Sequence, residues 1–201
     1  DYIASLSRGH RRRVRACQKR LAEGDVVRRM ATTPEELGAG WRVLVELHQQ
    51  RWASRGEKGC FASGPFGRFL LAAAEALLAA GRLRLSWVEI GGRPAASLIA
   101  IEQSGVTYAY QTGMATELLD ENPGWMIQSA AIREAIESGC RGFDLLRGDE
   151  PYKSNLGAEP RATVDVRIVS RRLAPQLRHK AWVTGNLVKS AIKSGLTASG
   201  I

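Results

Sequence analysis

The chain has 201 residues, of which 44% are hydrophobic and 24% charged, and its 29 lysines and arginines against 20 acids leave a net charge of +9. That size and balance fit one globular domain with its own core and exclude a disordered or fibrous chain. No apolar run reaches the roughly 18–20 residues of a membrane span, and three widely spaced cysteines without a C-x-x-C pair speak against both a disulfide framework and a bound metal.

A reducing cytoplasm is the compartment these cysteines lead us to expect. No secretory signal is read in these residues, and a start at Asp1 without methionine leads us to expect a fragment or a processed chain. The first helix is predicted over Arg8–Glu23, capped by Ser7 and ended by Gly24, with Val14, Cys17 and Leu21 as a narrow apolar stripe among arginines. Val26–Met30 reads as a short strand. Thr33-Pro34-Glu35-Glu36 is a capping box with proline at the first helical position. Leu37, Trp41, Leu44, Val45, His48 and Trp52 then recur at helical spacing as far as Arg55-Gly56. A loop, Glu57–Gly64, leads to a third helix over Pro65–Ala80.

Three strands follow, Arg82–Ile90, Pro94–Glu102 and Val106–Thr112, joined by the tight turns Gly91-Gly92 and Ser104-Gly105 into an antiparallel meander. Pro123-Gly124 opens a helix that runs through Ser138. Cys140–Leu146 is predicted as a strand, Asp149–Leu156 as part-helical and Ala162–Val169 as a last strand. A C-terminal helix starts at Pro175 and is broken or bent at Gly185. A helix crossing between neighbouring strands makes them parallel, so the expected fold is α/β (α+β), with a mixed, mostly antiparallel sheet flanked by helices. Three segments are expected: a basic lead-in helix over 1–24, a core domain over 25–170 and a basic helical tail over 171–201.

Chemistry concentrates between Tyr108 and Lys153. A helix beginning at Pro123-Gly124 has N–H groups without helical partners and the positive end of its dipole, a natural seat for a pyrophosphate. Asp144 lies within the apolar run Phe143–Leu146, where burial would raise its pKa toward the range of a general base. Tyr152 and Lys153 follow that strand. Each has a plain structural reading too: a proline-started helix, a turn glycine at Gly113, a loop-fixing carboxylate and a surface Tyr-Lys pair. The histidines show no nucleophile–base pattern in sequence, which disfavours a covalent serine or cysteine mechanism.

Gly91-Gly92-Arg93-Pro94-Ala95-Ala96, Tyr108-Ala109-Tyr110, Asn122-Pro123-Gly124, Phe143-Asp144, Arg147-Gly148-Asp149-Glu150 and Tyr152-Lys153, in this order, resemble the GNAT acetyltransferase superfamily. The particular likeness is to the acetyltransferase domain of CelD/BcsL-type proteins, which is related to the FemABX peptidyltransferases, and it covers about Leu6–Val169. It implies acetyl-CoA as cofactor, with Gln111, Thr112, Gly113 and Met114 along the thioester and Pro123, Gly124, Trp125 and Met126 at the pyrophosphate. It also implies Tyr152 as donor of a proton to the leaving thiolate, Lys153 at a phosphate or the acceptor, and Asp144 as a candidate base. The chain departs from the glycine-rich R/Q-x-x-G-x-G/A loop of many members: Gly113–Asn122 holds the acids Glu117, Asp120 and Glu121 instead.

The resemblance implies direct transfer to an amine or hydroxyl of a small-molecule or glycan acceptor in cell-envelope or polysaccharide biosynthesis. A missing N-terminal GNAT-like half, or a second copy of the chain, would complete the groove. Aminoacyl transfer from charged tRNA, as in FemABX enzymes, is the first alternative. A non-enzymatic module whose basic ends meet nucleic acid or an anionic membrane is the second. This module ranks last of the three; its basic surface has no interleaved aromatic platform, so nucleic acid is the less expected partner beside peripheral contact with anionic membrane.

Overall fold

The computed structural model describes residues 2–164 and 166–198, with side chains as far as residue 188. The chain divides after Pro160 into two units, each of which is described on its own.

In the first unit a single turn, α1 (Tyr2–Ser5), precedes α2 (Arg8–Glu23). Ser7 Oγ accepts the His10 N–H at 3.3 Å, and Gly24 ends α2 at φ 80°, a left-handed conformation that glycine reaches without a Cβ clash. After β1 (Val26–Met30) comes α3 (Pro34–Ala53). The predicted capping box is formed: Thr33 Oγ1 accepts from the Glu36 N–H, and Glu36 Oε2 accepts from the N–H groups of Thr32 and Thr33 at 2.8 and 3.1 Å. The Thr32 hydroxyl and N–H hold the Glu36 carboxyl below its ordinary range. A 3-10 turn, Cys60–Ala62, leads into α4 (Gly64–Ala79).

The meander is β2 (Leu83–Ile90), β3 (Arg93–Gln103) and β4 (Val106–Met114). Gly91 and Gly92 both take positive φ, as do Ser104 and Gly105, the geometry that two-residue hairpins need to match strand twist. A 3-10 stretch, Thr116–Glu121, then joins β4 to α5 (Pro123–Glu137), and β5 (Gly142–Asp144) and the short α6 (Pro151–Asn155) follow. The five strands lie in the order β1-β2-β3-β4-β5, antiparallel except for the parallel pair β4 and β5. This is the expected mixed, mostly antiparallel sheet.

Alternation along β3 sends neighbours to opposite faces and so builds two cores. Leu98, Ala96 and Ala100 meet Cys17, Met126 and Ile127 under α2 and α5. Ile99 meets Leu37, Leu44, Leu85 and Ala74 under α3 and α4.

Three expectations are corrected. The strand Cys140–Leu146 shortens to three residues, because Asp144 Oδ1 accepts the Leu146 N–H at 2.7 Å and Leu146 takes φ +57°, which turns the chain out of the sheet. In the second unit, 162–169 is not a strand over its described residues, and Val164, Val166 and Ile168 are exposed. Apolar alternation becomes a strand only where an edge receives it. The C-terminal helix α7 (Leu173–Ala198) begins two residues before Pro175 and continues through Gly185.

Candidate functional site

The sheet opens on the side of β4 that faces β5. Pairing joins Val106, Thr107 and Tyr108 to Gly142, Phe143 and Asp144 and stops there. Across β4 the register to β3 jumps between Ile99↔Gln111 and Ala100↔Ala109, so Tyr110 is the extra residue of a bulge, which bends the strand. From Ala109 to Met114, β4 has β3 on one side and no described strand on the other.

The register says which backbone groups face that gap. Ala115 N–H donates to Ala95 O at 2.9 Å, and antiparallel pairs alternate between bonded and non-bonded. Gly113 and Gln111 are therefore bonded to β3, while the N–H and C=O groups of Thr112 and Met114 point into the gap. Of the predicted set 111–114, these two present their backbones. The Gln111 side chain turns to the opposite face, where it hydrogen-bonds His48. Gly113 has a different task. A Cβ there would lie 2.7 Å from Leu47 Cβ and 2.8 Å from the His48 backbone nitrogen, so a glycine is what lets α3 close on β4.

At the far end of the gap stands the start of α5. Pro123 has no N–H, and the N–H groups of Trp125 and Met126 donate to Asn122 O at 3.0 and 3.2 Å. Of the four predicted residues, Gly124 keeps an N–H outside these bonds. Met114 Sδ would lie 2.7 Å from a Cβ on Gly124, which puts the end of β4 directly over the bare helix start.

Two of the three acids on the approach to this helix are paired. Glu117 pairs with Arg93 at 3.1 Å, and Glu121 pairs with Arg20 at 2.8 Å. The lead-in helix also reaches the helix start directly, with Arg13 over the Trp125 ring at 5.2 Å and His10 5.4 Å from it. Sequence reading saw the arginines of α2 only as a basic face. Their position against α5 depends on long-range packing that no local spacing carries.

On the other face of β4, α3 brings together residues that sequence spacing keeps apart. His48 is 2% exposed, between Phe61 and Trp52. Gln49 Nε2 donates to Lys58 O at 2.8 Å, which orients its amide and leaves Oε1 to accept from His48 Nδ1–H at 3.2 Å. His48 Nε2 is then the acceptor toward the Cys60 thiol, 3.5 Å away. Burial pushes the His48 pKa down and the Cys60 thiol up, so both are held neutral.

This burial sets a pH dependence. The native pKa of His48 lies below the ordinary value of about 6.5, so between the two values the unfolded chain binds more protons than the native one. Stability is full above the usual histidine range and is lost as pH falls through it toward the native pKa. Urea midpoints taken at about pH 8 and about pH 5 should fall more for the wild type than for His48→Gln. Equal falls would mean that His48 is not buried neutral.

One turn beyond His48, Arg51 lies near enough to Tyr152 and Glu150 to feel both. Through Arg51, α3 is thus linked to the Tyr152 and Glu150 side chains. Tyr152 is 39% exposed. Burial and the neighbouring Glu150 push its pKa up, with Arg51 opposing, so the phenol keeps its proton.

The other two predicted catalytic side chains stand differently. Asp144 is exposed, at the end of β5, and its carboxylate holds the Leu146 turn. The expected buried carboxylate is corrected, because the apolar run that suggested it leaves the sheet at this residue. Lys153 is 7% exposed and turned inward. Its Nζ donates to the carbonyls of Leu146, Arg147 and Gly148 at 3.1, 2.8 and 3.2 Å and pairs with Glu150 at 2.9 Å. The lysine is the peg on which the 146–150 loop is wound, and in turn it holds the Glu150 carboxyl below its usual range.

Residues 8–154 match the family model described as the acetyltransferase (GNAT) domain. No curated protein sequence matches the chain. Among solved structures the chain is similar to FemX, with a TM-score of 0.60 at 12% identity over 74% of this chain and 50% of that one. It is similar to a predicted acetyltransferase from Clostridium acetobutylicum solved with acetyl-CoA, at 0.54 and 12% identity over 71% and 96% of the two chains. An aminoglycoside acetyltransferase from an uncultured soil metagenomic sample, solved with sisomicin, aligns at 0.51 and 14% identity over 74% and 99%.

Proposed function

The chain belongs to the GNAT acetyltransferase family, and from that premise we propose that it transfers an acyl group, acetyl first of all, from coenzyme A directly to an amine or hydroxyl of an acceptor. The observation that carries this reading is the unpaired edge of β4 at Thr112 and Met114, ending over the open N–H of Gly124. An extended thioester cofactor fits such an edge: backbone groups without a strand partner receive its amides, and a helix start without a Cβ receives its pyrophosphate.

Coenzyme A supplies the acyl group as a thioester. With the cofactor bound, the N–H of Met114 or Thr112 would donate to the thioester oxygen and would favour the negative charge that transfer places there. Gly124 N–H and the Arg13 guanidinium hold the phosphates, so that α2 supplies the cationic character that a glycine-rich loop gives elsewhere. Tyr152 Oη gives its proton to the departing sulfur, and Arg51 and Glu150 set its charge environment. The acceptor's proton leaves through water. Asp144 and Lys153 shape the 144–150 loop that carries Tyr152 and do not touch the reacting atoms.

For the acceptor we propose a sugar or amino sugar of the cell envelope or of a polysaccharide. The CelD/BcsL-type motifs support it, and so does the fold likeness to an enzyme solved with sisomicin and with trehalose. Calorimetric titration with acetyl-CoA tests the cofactor part. The wild type should bind it, and Arg13→Gln should bind about tenfold more weakly with turnover at saturation retained, as the loss of one charged hydrogen bond predicts. A folded wild-type protein that gives no heat with acetyl-CoA would overturn the reading.

A further inference from the structure

The second unit is charged unlike the first. From Arg161 to Ile201 the sequence has eight lysines and arginines and one acid, Asp165, so it carries +7 of the chain's +9. Most of this charge is laid out on one long helix, α7, and on the two arginines just before it, Arg171 and Arg172.

Rotation of 100° per residue sorts α7 into two sides. Leu173, Leu177, Ala181 and Val188 fall on one side, and the sequence continues that spacing with Ala191 and Ile192. Arg178, His179 and Asn186 fall on the other, and Lys180 lies between Leu187 and Leu173 on the apolar side; the sequence continues the basic spacing with Lys189 and Lys193. The apolar side chains are not covered: Leu173 is 80% exposed, Leu177 64% and Val188 54%, and Leu187 at the border is 66% exposed. On the basic side Trp182 lies under the Arg167 guanidinium, 3.5 Å from the ring centroid, which ties the segment before α7 to the helix.

We infer that α7 is an interfacial helix that lays its apolar side into the headgroup region of an anionic phospholipid bilayer. Charge complementarity and amphipathicity together select this partner. A nucleic acid would satisfy the cations but leave the leucine side in water, whereas a bilayer surface takes both. Lys180, within the apolar side, has a stem long enough to lie along the acyl boundary while its charge stays at the headgroups. The helix does not cross: among the described residues none is long and apolar enough to span a membrane. This inference goes beyond acyl transfer and does not depend on it.

The test is co-sedimentation of the full chain with phosphatidylcholine vesicles, with and without phosphatidylglycerol. The wild type should pellet with the mixed vesicles, not with phosphatidylcholine alone, and less as salt rises. Arg171→Gln with Arg172→Gln should weaken binding roughly fivefold per charge removed. Leu177→Asn with Val188→Asn keeps the charge and should remove most binding, while an unchanged circular dichroism spectrum and urea midpoint of the same variant report that the first unit is intact.

Four results would overturn the inference. One is a wild type that stays in solution with the mixed vesicles. A second is an asparagine variant that pellets like the wild type, which reduces the effect to adsorption by charge. The third is an RNA or DNA duplex that strips the protein from vesicles at the same salt, which assigns the basic side to nucleic acid. The fourth is hydrogen exchange of Leu173–Val188 that does not change on adding vesicles, which means that the helix does not meet the bilayer.

Discussion

Tyr152→Phe should slow turnover about a hundredfold while changing the affinity for acetyl-CoA less than about twofold. The substitution removes one hydroxyl and keeps the ring, so the packing of α6 on the 146–150 loop is untouched. Burial and Glu150 raise the Tyr152 pKa, which places loss of its proton above the ordinary tyrosine value of about 10. The donor is thus fully protonated at neutral pH, and kcat should fall only on the far alkaline side as the phenol ionises. In Tyr152→Phe that alkaline limb should vanish together with the rate. Stopped turnover assays over pH, with calorimetry for the cofactor, separate the outcomes. An unchanged kcat would remove Tyr152 as proton donor, and a lost cofactor affinity would make it a binding residue instead.

What could be read from the sequence follows from how far each signal reaches. Thr33-Pro34-Glu35-Glu36 and Gly91-Gly92 carry their own geometry, because every atom that decides it lies within four residues. The meander, the proline-started α5 and the family itself were legible on such local signals taken in order. Asp144 was misread because its burial depends on where β5 stops, and β5 stops through a bond between Asp144 and Leu146 that competes with strand pairing. Ala162–Val169 was misread for the converse reason: its alternation was correct as a pattern, yet a strand needs an edge to receive it. The surroundings of His48, Arg51 and Arg13 were not legible because each is met across a tertiary contact. His48 reads as one more member of an apolar stripe until Cys60, Gln49 and Gln111 are placed around it.

Gly113 and Gly124 make the same point by contrast, and the second large effect is expected at Gly113. Gly113→Ala should destabilise the protein by about 3 kcal/mol, the upper range for overpacking, because the methyl would meet Leu47 Cβ and the His48 backbone nitrogen, at 2.7 and 2.8 Å, and a backbone cannot swing aside. Relief would require α3 to lift from β4, which would shift His48, Arg51 and with them the setting of Tyr152. Both the urea midpoint and kcat should therefore fall. At Gly124 the methyl would meet Met114 Sδ at 2.7 Å, the flexible end of a side chain that can rotate away. Gly124→Ala should thus leave the urea midpoint nearly unchanged and instead weaken acetyl-CoA, since a Cβ now stands before the open N–H of the helix start. A Gly113→Ala protein as stable as the wild type would mean that α3 does not sit on β4 as closely as this geometry has it. A Gly124→Ala protein with full cofactor affinity would move the phosphates away from α5. In the proposed cofactor groove the two glycines, eleven residues apart, have separate tasks: the first fixes its wall, and the second leaves the helix start covered only by the movable Met114 side chain.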